Sequence, residues 1–295
     1  MSVAYERPAT LDEACELLAR PGALPLFGGT DLMGQIDRGI VVPELLVDMR
    51  QVGLDTLEEA AGGLVIGAAV TLATIAASAL TRPYAALATA ASQAASPLLR
   101  NVGTVGGNLC QGTRCWYYRG EEWHCWLGGG DTCYAQIGDH RKHNLIAGDC
   151  ISAHPSDLAP ALGACGARVV VRSAGGVREL DLLELYRRPT EENRSLLSLA
   201  PGEIISEVRL PPPPAASAYL RLGERQAFSF PLVSVAGARQ RDGELRLLAG
   251  GVANVPVRID PGEPLADLPG NPQTMWKRTV LATLTERVLA ALSGA

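Results

Sequence analysis

Residues 110–150 hold the side chains best suited to chemistry in this sequence. Five of the seven cysteines lie there, together with three of the four tryptophans. Cysteine thiolates ligate both zinc and iron–sulfur clusters. Structural zinc usually has closely paired cysteines, and only Cys110 with Cys115 approaches that spacing. The residue types alone leave a zinc site, a cluster and ordinary buried thiols open.

Two glycine-rich segments are candidates for binding phosphate groups, F-G-G-T-D-L at 27–32 and N-V-G-T-V-G-G-N-L at 101–109. Glycines let the backbone approach an anion closely, and Thr30 adds a hydroxyl donor. Neither segment is a Walker loop or a G-x-G-x-x-G motif. A strand-to-helix turn would use the same glycines. Two such loops suit a ligand with two phosphates.

The segment H-P-S-D at 154–157 offers a carboxylate that could accept hydrogen bonds from ribose or ribityl hydroxyls. Ser156 and Asp157 also precede an apolar run, L-A-P-A-L, and could instead cap a helix. Both interpretations stay open at this point.

The elements that position these residues follow an α/β order. A helix is predicted over 11–19, with Thr10 as its N-cap and Cys15 facing the core. P-P-P-P at 211–214 is predicted to be a linker between two folding units, because it is stiff and cannot join the interior of a sheet or helix. The other predicted elements are strands at 23–27, 44–48, 64–70 and 168–172, a helical stretch at 71–95 broken near Pro83, paired strands at 230–239 and 244–253, and a helix at 273–293.

The composition excludes several classes of protein. The chain has 295 residues and a formal net charge of −5, without a lysine-rich run, so nucleic-acid binding has no obvious electrostatic source. No secretory signal and no apolar run of about 18 residues is present, which predicts a cytoplasmic protein without a membrane span. An odd number of cysteines argues against a disulfide framework.

Four segments in order resemble the FAD-binding medium subunit of the molybdenum hydroxylases, the xanthine dehydrogenase and carbon monoxide dehydrogenase family. They are F-G-G-T-D-L, R-N-V-G-T-V-G-G-N-L, P-S-D-L-A-P-A-L and F-S-F-P-L-V-S-V-A. The resemblance implies an α+β protein with a two-subdomain FAD-binding fold of the vanillyl-alcohol-oxidase type. It places this domain at 1–212 with a cysteine-rich insert at 110–150, followed by a small α/β domain at 216–295, an antiparallel sheet plus helices.

The same resemblance implies where FAD is bound. In the family, the pyrophosphate lies on the two glycine loops. Ser156 and Asp157 match the ribityl-side pair, and Ile205 and Arg221 match positions near the isoalloxazine, where the family often has lysine in place of the arginine. The implied loop contacts are Leu26, Phe27, Gly28, Gly29, Thr30, Asp31 and Leu32, then Thr104, Gly106, Gly107 and Asn108.

The insert resembles that of 4-hydroxybenzoyl-CoA reductase and of bacterial aldehyde oxidoreductases, which holds an extra [4Fe–4S] cluster. This implies four ligands, Cys115, Cys125, Cys133 and Cys150, with Cys110 outside the set. The histidines at 124, 140, 143 and 154 are then expected to be polar loop or flavin-side residues. The aromatic residues Trp116, Tyr117, Tyr118, Trp123 and Trp126 are expected to shield the cluster from water.

The function implied is electron transfer within a heteromeric enzyme. A large molybdopterin-binding subunit and a small [2Fe–2S] subunit would be partners, an external acceptor would exchange electrons with this chain, and no residue here need be catalytic. A partner carrying an export signal could take the complex to the periplasm. Two alternatives are a stand-alone FAD oxidoreductase and a non-redox scaffold whose loop is held by zinc.

Overall fold

An N-terminal sheet carries the first glycine segment. In the computed structural model, which describes residues 3–262 and 270–294, this sheet has three parallel strands. β3 (Leu45–Asp48) lies between β1 (Ala4–Glu6) and β2 (Ala23–Leu26). Helix α1 (Leu11–Leu18) connects the first two strands, and α2 (Leu32–Asp37) follows the glycines. The predicted strands at 23–27 and 44–48 are confirmed.

Helix α1 forms for the reasons that the sequence indicated. Thr10 is its N-cap, and its hydroxyl accepts a hydrogen bond from the Glu13 amide at 3.2 Å. Cys15 is buried, with 4% of its surface exposed. Leu18 packs on this side of the helix with Val47 of the sheet. The amphipathic pattern therefore predicted both the helix and its buried face.

The central sheet has five antiparallel strands in the order β4-β5-β8-β6-β7. Its strands come from two distant parts of the chain, and residues 68–167 form the long connection between β5 and β6. The bounds are β4 Leu57–Ala60, β5 Gly63–Gly67, β6 Arg168–Ser173, β7 Gly176–Asp181 and β8 Ile204–Leu210. The predicted strands at 64–70 and 168–172 correspond to β5 and β6.

Short helices lead from the central sheet to the second glycine segment. The predicted helical stretch at 71–95 is two helices, broken around Pro83 as expected. Helix α6 begins inside the glycine segment itself, with Thr104 as its N-cap. These helices are α3 Leu72–Ala77, α4 Ala85–Gln93, α5 Pro97–Arg100 and α6 Val105–Cys110.

The cysteine-rich insert follows α6 and has little regular structure. It contains α7 (Trp116–Arg119), a 3-10 turn at Trp126–Gly128 and α8 (Tyr134–Ile137). The chain then returns through α9 (Leu158–Ala164), which is almost completely buried. An irregular loop of this kind can direct side chains inward from several directions.

The C-terminal part is an antiparallel sheet covered by one long helix. Its strands are β9 (Ala216–Gly223), β10 (Pro231–Arg239), β11 (Leu245–Gly250) and β12 (Val257–Arg258). The predicted paired strands are β10 and β11, and the predicted last helix is α10 (Trp276–Ser293). This sheet and helix confirm the α+β fold class. Over the described residues, no helix combines the length and the apolar character that crossing a bilayer requires.

The two predicted units share a hydrophobic core. The main cluster of buried residues includes Leu64 of β5 and Leu162 of α9, and it extends to Tyr219 and Leu248 of the C-terminal sheet. The prolines at 211–214 separate β8 from β9 in the chain. The division into domains at 1–212 and 216–295 therefore stays a prediction. The prolines mark the boundary in the sequence, but the two parts pack around one core.

Candidate functional site

The two glycine segments meet each other in the fold. A Cβ atom built on Gly28 would lie 1.9 Å from the Val102 carbonyl oxygen, so only glycine fits there. Gly29 has φ +65, a left-handed conformation that favours glycine. The first segment therefore needs its glycines both for contact with the second segment and for the turn before α2.

The two segments differ in what their backbone amides bind. In the first, within the described ranges, the amides of Gly28, Gly29 and Thr30 donate to no protein acceptor. In the second, the Gly106 amide donates to the Ala68 carbonyl at 2.9 Å, and the Gly107 amide donates to the Thr104 hydroxyl at 3.1 Å. The first segment thus offers three consecutive amides as free donors for an anion.

A cleft of about 320 Å³, here called the glycine-loop cleft, lies between the two segments. Ile205 and Leu199 form an apolar part of its wall. Such a volume suits part of a dinucleotide rather than a whole one. Its lining includes Phe27, Gly28, Gly29, Thr30, Asp31, Leu32, Thr104, Gly106 and Gly107.

Two further cavities lie beyond this cleft. The middle cavity shares Cys110 and Gln111 with the glycine-loop cleft, and it also contacts His154. The junction cavity shares His154 with the middle cavity and reaches Arg114 and Phe230. The three cavities are therefore neighbours, from the glycines to the point where the insert meets the C-terminal sheet.

Asp157 and Arg221 form a buried ion pair at the C-terminal sheet. Arg221 Nη1 lies 2.9 Å from Asp157 Oδ1, and both side chains are 4% exposed. The Tyr219 hydroxyl donates to the same oxygen at 2.6 Å. Burial raises the pKa of Asp157, and the arginine opposes that shift. Arg221 Nη2 is buried without a partner among the described residues, so the guanidinium retains one donor for a ligand.

The capping role in H-P-S-D belongs to Ser156. Its hydroxyl accepts from the Ala159 amide at 3.0 Å and donates to Asn108 Oδ1 at 2.6 Å. Asp157 makes no capping bond with its side chain. The second glycine segment is thereby fixed to the start of α9.

Ile205 and Arg221, expected near one another, line different places. Ile205 belongs to the glycine-loop cleft, whereas Arg221 is paired with Asp157 and does not line that cleft. They lie on β8 and β9, which belong to different sheets. The resemblance to the family matched both residues to positions near the isoalloxazine and did not indicate that they lie apart.

Asp31 faces the insert with both carboxylate oxygens. Oδ1 lies 2.6 Å from Arg114 Nη1 and 2.8 Å from Arg119 Nη2. Oδ2 accepts from the Gly112 amide at 2.8 Å and from Gln35 at 3.0 Å. Neither arginine was predicted from the sequence to belong to the site. Arg114 directly precedes Cys115 and Arg119 follows it by four residues. This placement of two arginines around a candidate ligand was the feature of the sequence that could have identified them.

The four cysteines expected to be ligands line one small cavity, together with Tyr117, Tyr118 and Trp126. Burial raises the pKa of Cys115 to about 12 and that of Cys150 to about 11, and it also raises that of Cys125. Cys110 lies elsewhere, on the glycine-loop cleft and the middle cavity. The fold therefore brings together the four thiols that were grouped and leaves out the fifth.

These thiols are not arranged as a finished metal-ion site. Among residues 3–262 and 270–294, no group of three or more histidine, cysteine, aspartate or glutamate side chains has that arrangement. His143 Nε2 lies 3.2 Å from Cys115 Sγ, and burial together with the nearby Lys277 lowers the pKa of His143 to about 4. A neutral imidazole therefore contacts this thiol.

Three of the five aromatic residues expected to shield the cluster, Tyr117, Tyr118 and Trp126, line the cavity. Trp116 and Trp123 do not line it and are 36% and 38% exposed. Tyr117 and Trp123 pack edge to face with centroids 5.3 Å apart. Trp116 packs in the same way on His143 at 4.5 Å. Tyr134, which the sequence analysis did not include, packs on Trp123 at 4.8 Å. Tyr117, Tyr118, Trp126 and Tyr134 thus supply the aromatic part of the cavity wall.

The far side of the insert is fixed to the start of α10. Asn271 donates to the Asn144 carbonyl at 3.1 Å, and Gln273 accepts from the His140 amide at 3.1 Å. Lys277, with no exposed surface, donates to the carbonyls of Gly251 and Lys142. Burial lowers the pKa of Lys277 to about 7. The insert is thus held by both parts of the chain.

Comparison with known proteins agrees with this architecture. The chain is similar to the FAD-binding subunit PaoB of an aldehyde oxidoreductase from Escherichia coli K12, at 39% identity over 264 residues, covering 87% of this chain and 83% of that protein. It is also similar to the putative xanthine dehydrogenase FAD-binding subunit XdhB of the same organism, at 30% identity over 287 residues, with coverages of 92% and 82%.

Solved structures show the same fold. Reconstituted CO dehydrogenase from Oligotropha carboxidovorans matches with a TM-score of 0.76 at 19% identity, covering 100% of this chain and 98% of that chain. Quinoline 2-oxidoreductase from Pseudomonas putida 86 matches with a TM-score of 0.71 at 22% identity and the same coverages. A family model described as the FAD binding domain in molybdopterin dehydrogenase matches residues 1–213. The chain therefore belongs to the family of FAD-binding subunits of molybdopterin-dependent dehydrogenases.

Proposed function

We propose that this chain is the electron-transfer subunit of a heteromeric molybdenum-dependent oxidoreductase and that it carries a [4Fe–4S] cluster besides FAD. It would pass electrons between [2Fe–2S] centres on a partner and an external acceptor. The observation that carries the proposal is the collection of Cys115, Cys125, Cys133 and Cys150 around one cavity in the insert. The insert begins at the end of the second glycine segment, next to the path proposed for FAD.

The first glycine segment has the chemistry needed for the pyrophosphate. Its three amides without a partner in the described ranges, and the Thr30 hydroxyl, belong to residues that line the glycine-loop cleft, where an anion could accept their hydrogen bonds. Bound FAD supplies two-electron and one-electron redox chemistry, which no side chain provides. In the second segment the amides of Gly106 and Gly107 are bonded within the protein, so we assign its contribution to shape and to the side chains of Thr104 and Asn108.

The flavin end of the cofactor is assigned to the middle and junction cavities. His154 Nε2 belongs to a residue that lines both cavities, and it is buried without a partner among the described residues. Arg221 Nη2, in the buried ion pair with Asp157, is likewise without a partner there. Burial lowers the pKa of His154 to about 3, so its imidazole is neutral. Orphaned buried groups of this kind indicate a missing polar partner. Ser156 and Asp157 support this end by holding Asn108 and Arg221 in place.

The donor set of the insert fits an iron–sulfur cluster better than zinc. Four thiols surround the cavity, and their spacing in the chain lacks the short pairs of structural zinc sites. Ligation requires thiolates, whereas burial keeps the thiols of Cys115 and Cys150 protonated. Iron binding would therefore release protons and fix the final geometry of the loop.

The assembly is proposed from the relatives. PaoB and XdhB are each named as FAD-binding subunits, and a further relative is the medium chain of carbon monoxide dehydrogenase from Afipia carboxidovorans. We assign as partners a large molybdopterin-binding subunit and a small [2Fe–2S] subunit, with the complex in the cytoplasm. A stand-alone FAD oxidoreductase and a zinc-held scaffold are the alternatives.

Cofactor analysis of the anaerobically purified protein, with its co-purifying polypeptides, tests this function. The expected result is one FAD and four iron and four sulfide per chain, as a [4Fe–4S] cluster requires. Two partner polypeptides should co-purify. Zinc without sulfide would favour the scaffold, and turnover by the isolated chain would favour the stand-alone enzyme.

A further inference from the structure

We infer that Asp31 couples the two cofactor sites, so that loss of the cluster weakens FAD binding through this carboxylate. The inference rests on the proposed cluster. Asp31 immediately follows Gly29 and Thr30, whose amides, without a partner in the described ranges, are the candidate anion donors. A carboxylate at that place carries the same sign of charge as a pyrophosphate and would repel it.

Two arginines of the insert neutralise this carboxylate. Arg114 Nη1 and Arg119 Nη2 lie 2.6 and 2.8 Å from Oδ1, and the Gly112 amide donates to Oδ2. The site is shielded from water, since the side chains of Asp31 and Arg119 are 13% and 11% exposed. Electrostatic effects are stronger in such surroundings than at a surface.

The same arginines are positioned by the segment that would ligate the cluster. Arg114 precedes Cys115, and Arg119 ends helix α7, which begins directly after that cysteine. Arg119 also donates to the Thr113 carbonyl at 2.6 Å. Ligation of Cys115 would hold both guanidinium groups against Asp31. Without the cluster, the loop loses this restraint and the carboxylate loses its compensation.

Asp31 is thus a positioning residue that makes FAD affinity depend on the state of the insert. Because coupling between two sites is reciprocal, bound FAD should also slow the loss of iron. The direction of the effect on FAD affinity can be predicted. Replacing the charge by an amide should make FAD affinity less sensitive to the cluster.

The test is a cycle of four full-length proteins: wild type, Cys125→Ser, Asp31→Asn and the double variant. FAD dissociation constants are measured by fluorescence at one ionic strength, and iron and sulfide are assayed in each sample. Cys125→Ser should weaken FAD binding by about tenfold or more in the wild-type background and by less than about threefold in the Asp31→Asn background. In a control cycle Glu244→Gln replaces Asp31→Asn, because Glu244 pairs with Arg246 at the C-terminal sheet, away from the insert. In that background Cys125→Ser should still weaken FAD binding by about tenfold or more.

Equal losses in both backgrounds, with iron present in the parent proteins, would overturn the coupling alone. Absence of iron and sulfide from the wild type would instead overturn the cluster, and the coupling with it. If Asp31→Asn does not fold, Arg119→Gln takes its place. That variant should weaken FAD binding by about threefold to tenfold with iron content unchanged, and unchanged FAD affinity would contradict the inference.

Discussion

The two glycine segments are alike in sequence and different in use. In the first, Gly28, Gly29 and Thr30 keep their amides unpaired, over the described residues, beside a cleft. In the second, the amides of Gly106 and Gly107 are bonded within the protein, and Gly106 packs against Ala68. A glycine cluster predicts a close approach of the backbone. In the second segment a neighbouring strand end makes that approach, whereas in the first segment the unpaired amides lie beside an open cleft.

The largest effect is expected where the two segments touch. A methyl group at Gly28 would overlap the Val102 carbonyl, so Gly28→Ala should separate the segments, lower the free energy of unfolding by about 3 kcal/mol or more and abolish FAD binding. Gly34→Ala is the matched control, because a Cβ atom there meets no atom within 4 Å. Urea unfolding and FAD content measure both, and wild-type stability of Gly28→Ala would contradict the contact.

Gly106→Ala should mainly affect stability. Its Cβ atom would lie 3.0 Å from that of Ala68, and we expect a loss of about 1–3 kcal/mol in the free energy of unfolding. Gly29→Ala should instead mainly affect FAD binding. Its φ of +65 costs about 1–2 kcal/mol for alanine, and relaxation of that strain would move the free amides. If both variants lost FAD in proportion to stability, the two segments would not differ in role.

The smallest effects are expected from the two threonines. Thr104→Val removes the N-cap of α6 and should lower the free energy of unfolding by about 1 kcal/mol. Thr30→Val should leave stability unchanged, because Thr30 is exposed, but should weaken FAD binding by roughly tenfold through one lost hydrogen bond to a charged group. Calorimetric FAD titration with thermal unfolding compares them. Loss of stability in Thr30→Val together with weaker FAD binding in Thr104→Val alone would contradict the different roles of the two segments.

Local patterns were sufficient to predict much of the fold. The helix after Thr10, the break near Pro83 and the hairpin of β10 and β11 each depend on residues close together in the chain. Capping, proline geometry and alternation of apolar residues act at that range. The order of four motifs then indicated the family.

Side-chain pairing within the site could not be predicted in the same way. The ion pairs of the Asp31 carboxylate with Arg114 and Arg119, far along the chain, were not predicted, and its expected contact with FAD stays a prediction. Asp157 and Arg221 were each assigned to the flavin side, and their ion pair was not foreseen. Such partners are chosen by how loops from separate sheets pack, and no periodicity in the sequence records that choice.

The central claim is that the insert holds a [4Fe–4S] cluster, and a set of cysteine variants tests it most directly. Iron, sulfide and the paramagnetic resonance of the reduced protein are measured for Cys→Ser at 115, 125, 133 and 150, with Cys110→Ser as the matched control. The account predicts loss or alteration of the cluster in the first four and a wild-type spectrum for Cys110→Ser. Loss in Cys110→Ser with retention in Cys115→Ser would contradict the ligand set, and wild-type iron content in all five would contradict the cluster itself.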